Sequence, residues 1–155
     1  MAEAFSLRNA QRGDEAEIQD LVQGVLAEFG LEFELDGQDR DLVDISASYH
    51  DSGGCFRVIV ESGRIVGCAG LCHLGNEAGE LRKMYLLPES RGRGWGRMLL
   101  GSLLDEARRR GMTRVTLESH SSLVAALTLY ESVGFKSIRH EHPTPRVDIA
   151  MALLL

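Results

Sequence analysis

Residues 80–111, ELRKMYLLPESRGRGWGRMLLGSLLDEARRRG, constrain this chain more than any other stretch. Leu81, Met84, Tyr85, Leu86 and Leu87 run as a strand to Pro88, a residue that cannot continue a hydrogen-bonded ladder. Arg91-Gly92-Arg93-Gly94-Trp95-Gly96 follows, and then Met98, Leu99, Leu100, Leu103, Leu104 and Ala107 recur at helical spacing. A strand entering a helix through such a loop aims backbone N–H groups and the positive helix end at one place, and the arginines add full charges there. Glycine at alternate positions before a helix costs stability unless something must approach the backbone. The pattern predicts a turn that holds phosphate.

Two nucleotide-binding loops of similar appearance are excluded. A dinucleotide fingerprint needs G-x-G-x-x-G, and the third position after Gly94 is Arg97. The phosphate loop of nucleotide hydrolases ends in Gly-Lys-Ser/Thr, which is absent. The 155 residues carry a net charge of −6, so the basic loop is a local exception on an acidic chain. That balance favours a small anionic ligand over nucleic acid or an anionic membrane surface. With 44% hydrophobic and 26% charged residues, a single globular domain over residues 1–155 is expected. The apolar runs are too short for a membrane span, and MAEAFSLRNAQRGDE is not an export signal, so a cytoplasmic protein is expected. Cys55, Cys68 and Cys72 form no C-x-x-C pair and, with His73, lack zinc-ligand spacing, so no metal is expected.

The remaining elements follow from periodicity. Residues 4–8 read as a first strand, and Asp14 with Glu17 as a capping-box-like helix start. Ile18, Leu21, Val22, Val25, Leu26 and Phe29 then mark a helix that Gly30 stops. A second helix is expected over residues 39–49, with Leu42, Ile45 and Tyr49 on one side. A hairpin turning at Ser62-Gly63 and a second turn at residues 75–79 lead into the central strand. After the central helix, which Gly111 closes, residues 113–118 form a strand. Ser121 or Ser122 is expected to cap a helix ending at Gly134, and strands over 135–139 and 147–154 close the chain. The order β-α-α-β-β-β-α-β-α-β-β describes an α/β or α+β fold with a mixed sheet.

The glycine loop resembles the acyl-CoA-binding signature of the GNAT N-acetyltransferase superfamily, Gln/Arg-x-x-Gly-x-Gly/Ala, at Arg91, Gly94 and Gly96. Residues 127–135, LTLYESVGF, resemble the family's second signature, A/I-x-L-Y-x-x-x-G-F, one strand and one helix downstream. The element order also matches the family plan. The resemblance implies a mixed, mostly antiparallel sheet with helices on both faces and acetyl-CoA as co-substrate. It implies that the backbone N–H groups of Arg91, Gly92, Arg93, Gly94, Trp95, Gly96 and Arg97 hold the CoA pyrophosphate. It also implies that Met84, Tyr85 and Leu86 pair with the pantetheine arm, Met84 and Leu86 being the donors. Trp95 is bulkier than the family's usual residue, so it is expected to face outward or touch the adenine end. Leu123 stands where the family has Asn, which removes a side-chain hydrogen bond to CoA.

Acyl transfer to an amine sets three demands. An alkylammonium of pKa ~10.4 must lose a proton, the oxyanion needs donors, and a thiolate leaving group of pKa ~8.5 benefits from an acid. The resemblance makes Tyr130 the expected acid and Glu80 the expected base, with Glu118 the second candidate and His73 and His120 behind it. Cys72 has no positioned partner, so direct attack in a ternary complex is expected rather than a covalent intermediate. The acidic stretch over residues 28–44 lies where it could attract a cationic amine. Partners are then acetyl-CoA and an amine acceptor, with homodimerisation common in the family. The alternative is a non-catalytic acyl-CoA-binding or sensing module of the same fold.

Overall fold

The structure, a computed structural model, describes residues 4–155. Seven strands and four α-helices follow one another in the expected order. They are β1 (Phe5–Asn9), α1 (Glu15–Glu28), α2 (Ile45–Ser48), β2 (Cys55–Glu61), β3 (Arg64–Gly75), β4 (Ala78–Leu86), α3 (Trp95–Arg109), β5 (Arg114–Ser119), α4 (Val124–Ser132), β6 (Lys136–Ile138) and β7 (Ile149–Leu154). The sheet order is β1-β2-β3-β4-β5-β7-β6. Every neighbouring pair is antiparallel except β4 with β5, so the sheet is mixed and mostly antiparallel as expected.

Alternation along the strands divides the core between two faces. Ala69 and Leu71 of β3, Leu81 of β4 and Val115 and Leu117 of β5 pack under α3 and α4 with Leu99, Leu100, Leu103 and Tyr130. Cys68 and Cys72 of β3 and Phe56 and Val58 of β2 turn the other way, under Ile18, Leu21, Val22 and Val25 of α1 and Tyr49. The second face has no β5 residue in its core, which leaves that end of the sheet uncovered.

Four local expectations are corrected. Asp14 precedes α1 without capping it; its carboxylate binds Arg8 at 2.7 Å and the Gln11 N–H at 2.7 Å. Glu17 does not reach back to that cap either, since it accepts the Ile65 N–H of β3 at 2.7 Å. The helix expected over residues 39–49 is a 3₁₀ turn (Arg40–Leu42), the four-residue α2 and another 3₁₀ turn (His50–Ser52). Asp44 causes the break: in extended backbone it accepts the Ala47 N–H at 3.1 Å and starts a new helix. Neither Ser121 nor Ser122 caps α4, because Ser121 binds Asp148 through N–H and hydroxyl at 2.8 Å each, and Ser122 binds His120. The last strand starts at Ile149, two residues later than expected, since Thr144 and Val147 exchange backbone hydrogen bonds across a tight loop.

Candidate active site

The parallel pairing of β4 with β5 lasts only from Ala78↔Arg114 to Leu81↔Leu117. Beyond it the strands part, and β4 runs from Arg82 to Leu86 beside β3 alone. A bulge marks the parting. Arg82 faces Gly70 and Tyr85 faces Cys68, so Lys83 and Met84 oppose Ala69 alone, and Lys83 takes a φ of 55°. The Leu87 N–H donates to the Val66 carbonyl at 2.9 Å, and strand alternation therefore turns the Leu86 N–H away from β3 into the gap. The Leu86 carbonyl on that side accepts the Arg91 guanidinium at 2.9 and 3.2 Å. The gap opens into a cleft of about 690 Å³.

The glycine loop forms one end of this cleft. Gly92 and Gly94 both sit at φ 80°, a left-handed backbone that glycine adopts without a Cβ penalty, and Gly94 is the N-cap of α3. A Cβ on Gly96 would lie 3.3 Å from Leu129 and 3.4 Å from Leu86, so this glycine lets α3 approach β4 and α4 closely. The N–H groups of Gly92, Gly94, Trp95, Gly96 and Arg97 donate to no described residue. A row of unpaired N–H groups at a helix N-terminus is a ready anion site.

The arginine side chains behave differently from the expectation that all add charge to this spot. Arg91 is held by the Glu28 carboxylate at 2.7 and 2.8 Å, and Arg93 binds Glu61 at 2.6 Å and lies 4.7 Å from the Trp95 ring centroid. Arg97 binds the Ser132 hydroxyl at 2.8 Å and forms no ion pair among the described residues. Arg91, Gly92, Gly94, Gly96 and Arg97 line the cleft, whereas the side chains of Arg93 and Trp95 do not. Trp95 is not turned outward; it is 7% exposed in the α3 core and stacks at 5.0 Å on Phe5. Its indole is the most apolar surface near the start of α3, so burial outweighs contact with a ligand.

Tyr130 lies farther along the same cleft, 5% exposed at the foot of α4. Burial, and after it the neighbouring Tyr85, push its hydroxyl pKa above the usual tyrosine value, so the proton is retained. No hydrogen bond joins that hydroxyl to another described residue. Met84, Tyr85 and Leu86 line the opposite wall.

The carboxylates stand at the other end. Leu81 and Leu117 face α3, so Glu80 and Glu118, one position away, face the uncovered side of the sheet, and both line the cleft. Glu80 is engaged by the Arg82 guanidinium. Glu118 has no such partner; the nearest ionisable nitrogen is His140 Nε2 at 3.6 Å. His120 also lines the cleft, but its Nδ1 takes the Ser122 N–H at 3.1 Å and its Nε2 lies 3.9 Å from Asp148. Ser121, through its two hydrogen bonds to Asp148, ties the β5–α4 loop to the start of β7. His73 does not reach the cleft.

A buried ionic clasp shapes the rim. Asp39 is fully buried and receives Arg146 at 2.5 and 2.6 Å, the Glu34 N–H at 2.7 Å and Lys83 at 3.4 Å. Burial pushes its carboxyl pKa up, but Arg146, Glu34 and Lys83 together hold it below the ordinary value. Lys83 also binds Asp41 at 3.0 Å, and Asp41 accepts the Tyr49 hydroxyl. The acidic stretch over residues 28–44 is therefore largely spent on internal partners. Sequence reasoning missed Lys83 and Arg146 as cleft residues, because a bulge and a pairing across 107 positions leave no local pattern.

The cleft holds no exposed thiol. Cys55, Cys68 and Cys72 are all buried, and burial pushes the Cys68 thiol up to about 12. No group of three or more His, Cys, Asp or Glu among the described residues is placed to hold a metal ion. No described helix is long and apolar enough to cross a membrane.

Known proteins with this arrangement are numerous. An Escherichia coli N-acetyltransferase, YjgM, itself uncharacterized, is 33% identical over 137 residues, covering 85% of this chain and 82% of the relative. The structure superposes with a TM-score of 0.90 on a GNAT-family acetyltransferase of Staphylococcus aureus Mu50, at 22% identity over 96% of this chain and 98% of that one. A GNAT superfamily phosphinothricin acetyltransferase of Sinorhizobium meliloti, in complex with acetyl-CoA, gives 0.77 at 19% identity over 97% and 88% of the two chains. These two likenesses show the fold. The model of the acetyltransferase (GNAT) family matches residues 18–135, from α1 through the second signature, and on that match the chain belongs to the GNAT acetyltransferase family.

Proposed function

We propose that this enzyme moves the acetyl group of acetyl-CoA onto a primary amine by direct attack within a ternary complex. The observation that carries the reading is the parting of β4 from β5 between an unpaired N–H cradle and two carboxylates. Pyrophosphate at the cradle leaves the extended pantetheine arm to run along β4, pairing with the Leu86 N–H as an added strand does. The thioester then lies between Tyr130 and the Glu80–Glu118 end. Cytoplasmic residence remains part of this reading.

The chemistry divides among the chain's own groups. A carboxylate takes the proton of the ammonium, and the amine nitrogen attacks the thioester carbonyl. The oxyanion meets β4 N–H groups near Met84. As the C–S bond breaks, the sulfur takes the Tyr130 proton, and the second proton of the attacking nitrogen restores the tyrosine hydroxyl, leaving a neutral amide and free CoA thiol. For the base, Glu118 replaces Glu80 as first choice, because taking up a proton would break the Glu80–Arg82 ion pair, whereas no arginine or lysine pairs with Glu118 among the described residues. Glu80 then orients Arg82 and the acceptor end. Burial of all three cysteines supports direct attack over an acyl-enzyme.

The test is acetyl-CoA titration by calorimetry, followed by thiol release with a panel of polyamines, aminoglycosides, amino acids and peptides. Binding with turnover on one amine class supports the proposal. Binding with no thiol release across the panel makes the chain an acyl-CoA-binding module. Absence of binding sinks both. Comparing Glu118→Gln with Glu80→Gln on the active amine assigns the base, and the larger fall in kcat is expected for Glu118→Gln.

A further inference from the structure

We propose that His140 is a positioning residue for Glu118, holding that carboxylate toward the acceptor from behind; this rests on the reading of Glu118 as the base. Topology makes the meeting possible. Ala150 of β7 faces Glu118 of β5 on one side and Ile138 of β6 on the other. His140 stands two residues past Ile138, where the chain leaves β6 and folds back across the end of β7 toward β5.

The imidazole arrives nearly enclosed. Its side chain is 11% exposed, and Nε2 lies 3.6 Å from Glu118 Oε2. Nδ1 accepts the His142 N–H at 3.2 Å, so a neutral ring must carry its single proton on Nε2. The carboxylate oxygen within 4 Å of that nitrogen is Glu118 Oε2. Nε2 has no hydrogen-bond partner and is shut off from solvent, an arrangement buried polar groups seldom keep. The separation exceeds hydrogen-bond length by a few tenths of an ångström, which a rotamer adjustment of the half-exposed Glu118 closes. No other hydrogen bond or ion pair restrains the Glu118 side chain among the described residues.

Holding one oxygen leaves the other aimed into the cleft. A glutamate at a strand end otherwise samples several rotamers, and only some face the acceptor. His140 lies outside the cleft lining, behind Glu118. Its effect passes through Glu118 alone.

The experiment is a double-mutant cycle with a spectroscopic arm. His140→Phe is expected to lower kcat/KM for the amine about tenfold, the order of one charge-assisted hydrogen bond, with acetyl-CoA binding unchanged. In a Glu118→Gln background the same substitution is expected to change kcat/KM by less than about twofold. His140→Gln, which keeps an N–H donor, is expected to recover part of the loss. Equal losses in both backgrounds overturn the proposal, since a loop-filling histidine acts regardless of Glu118. ¹⁵N spectra of the imidazole ring read the contact without activity: the Nε2–H tautomer is expected, with its resonance displaced by Glu118→Gln. An unmoved resonance overturns the contact itself. Full turnover in Glu118→Gln with a displaced resonance removes Glu118 as base while leaving the His140 contact in place, so the two failures are distinguishable.

Discussion

Tyr130 is 5% exposed, and its hydroxyl is protonated and without a hydrogen-bond partner among the described residues, so its removal separates chemistry from stability. Tyr130→Phe keeps the ring that packs 5.8 Å from Phe135 and loses only the hydroxyl with its proton. Turnover is expected to fall about 100-fold, the lower range for a general acid, while the unfolding free energy moves by less than about 0.5 kcal/mol. Thiol release and urea denaturation on the same preparations check it; equal turnover in the variant sinks the acid role. Gly94 gives the opposite combination. At φ 80° any side chain meets strain of about 1–2 kcal/mol, and a carboxylate there also confronts the cradle with like charge. Gly94→Glu is expected to abolish detectable acetyl-CoA binding in calorimetry yet leave a folded protein. These residues were readable in the sequence because a short loop and helix start carry their own geometry. The side chains of Arg91 and Arg93 were not, since Glu28 and Glu61 lie 63 and 32 positions away.

Helix α3 links the site to a second ionic cluster at its far end. Glu106, 4% exposed, receives Arg109 and Arg110 from its own helix and Arg57 from β2 at 2.7 Å. Arg109 first, then Arg110, hold its carboxyl near about 2, against an ordinary 4.5. A carboxyl depressed on folding stabilises fully above its unfolded pKa and loses that contribution as pH falls through the folded one. The difference in unfolding free energy between wild type and Glu106→Gln is therefore expected at on the order of 2–3 kcal/mol near pH 6, shrinking between about pH 4.5 and 2. Chemical denaturation across that range measures it, and a gap independent of pH refutes the charge argument. The arginines at the end of α3 thus answer to a buried carboxylate. Long periodic elements such as α1 and α3 were readable because burial on one face repeats along them. The interrupted segment around α2 was not, because the Asp44 side chain takes the Ala47 N–H and starts a new helix in mid-segment.

Across the whole molecule, β1 to β4 and β5 to β7 form two antiparallel runs joined by four parallel residue pairs. Over the rest of β4 the free edge toward β5 has no ladder partner, and the Arg146–Asp39–Lys83 clasp ties its rim. Such a seam is the part of a sheet expected to open first, since it has the fewest ladder bonds and its N–H groups face the cleft. The element order and both signatures made this architecture readable. The clasp was not, being three charges brought together from positions 39, 83 and 146. A ligand lying along β4 and anchored on α3 closes the seam, so its binding energy becomes stability of the whole sheet. At a concentration about 100 times Kd, acetyl-CoA is expected to add about 2.7 kcal/mol. For a chain of this size each kcal/mol raises Tm by about 2–4 °C, giving a rise of roughly 5–10 °C. Hydrogen exchange is expected to slow at the same time at the Met84 and Leu86 amides, the two β4 positions proposed to meet the pantetheine arm. CoA without the acetyl group should reproduce both effects, because the cradle and the strand edge hold the parts the two molecules share. Gly94→Glu should abolish both together. A Tm rise without protection at β4 would place the ligand at the cradle but off the strand, and would remove the seam as the origin of the stabilisation.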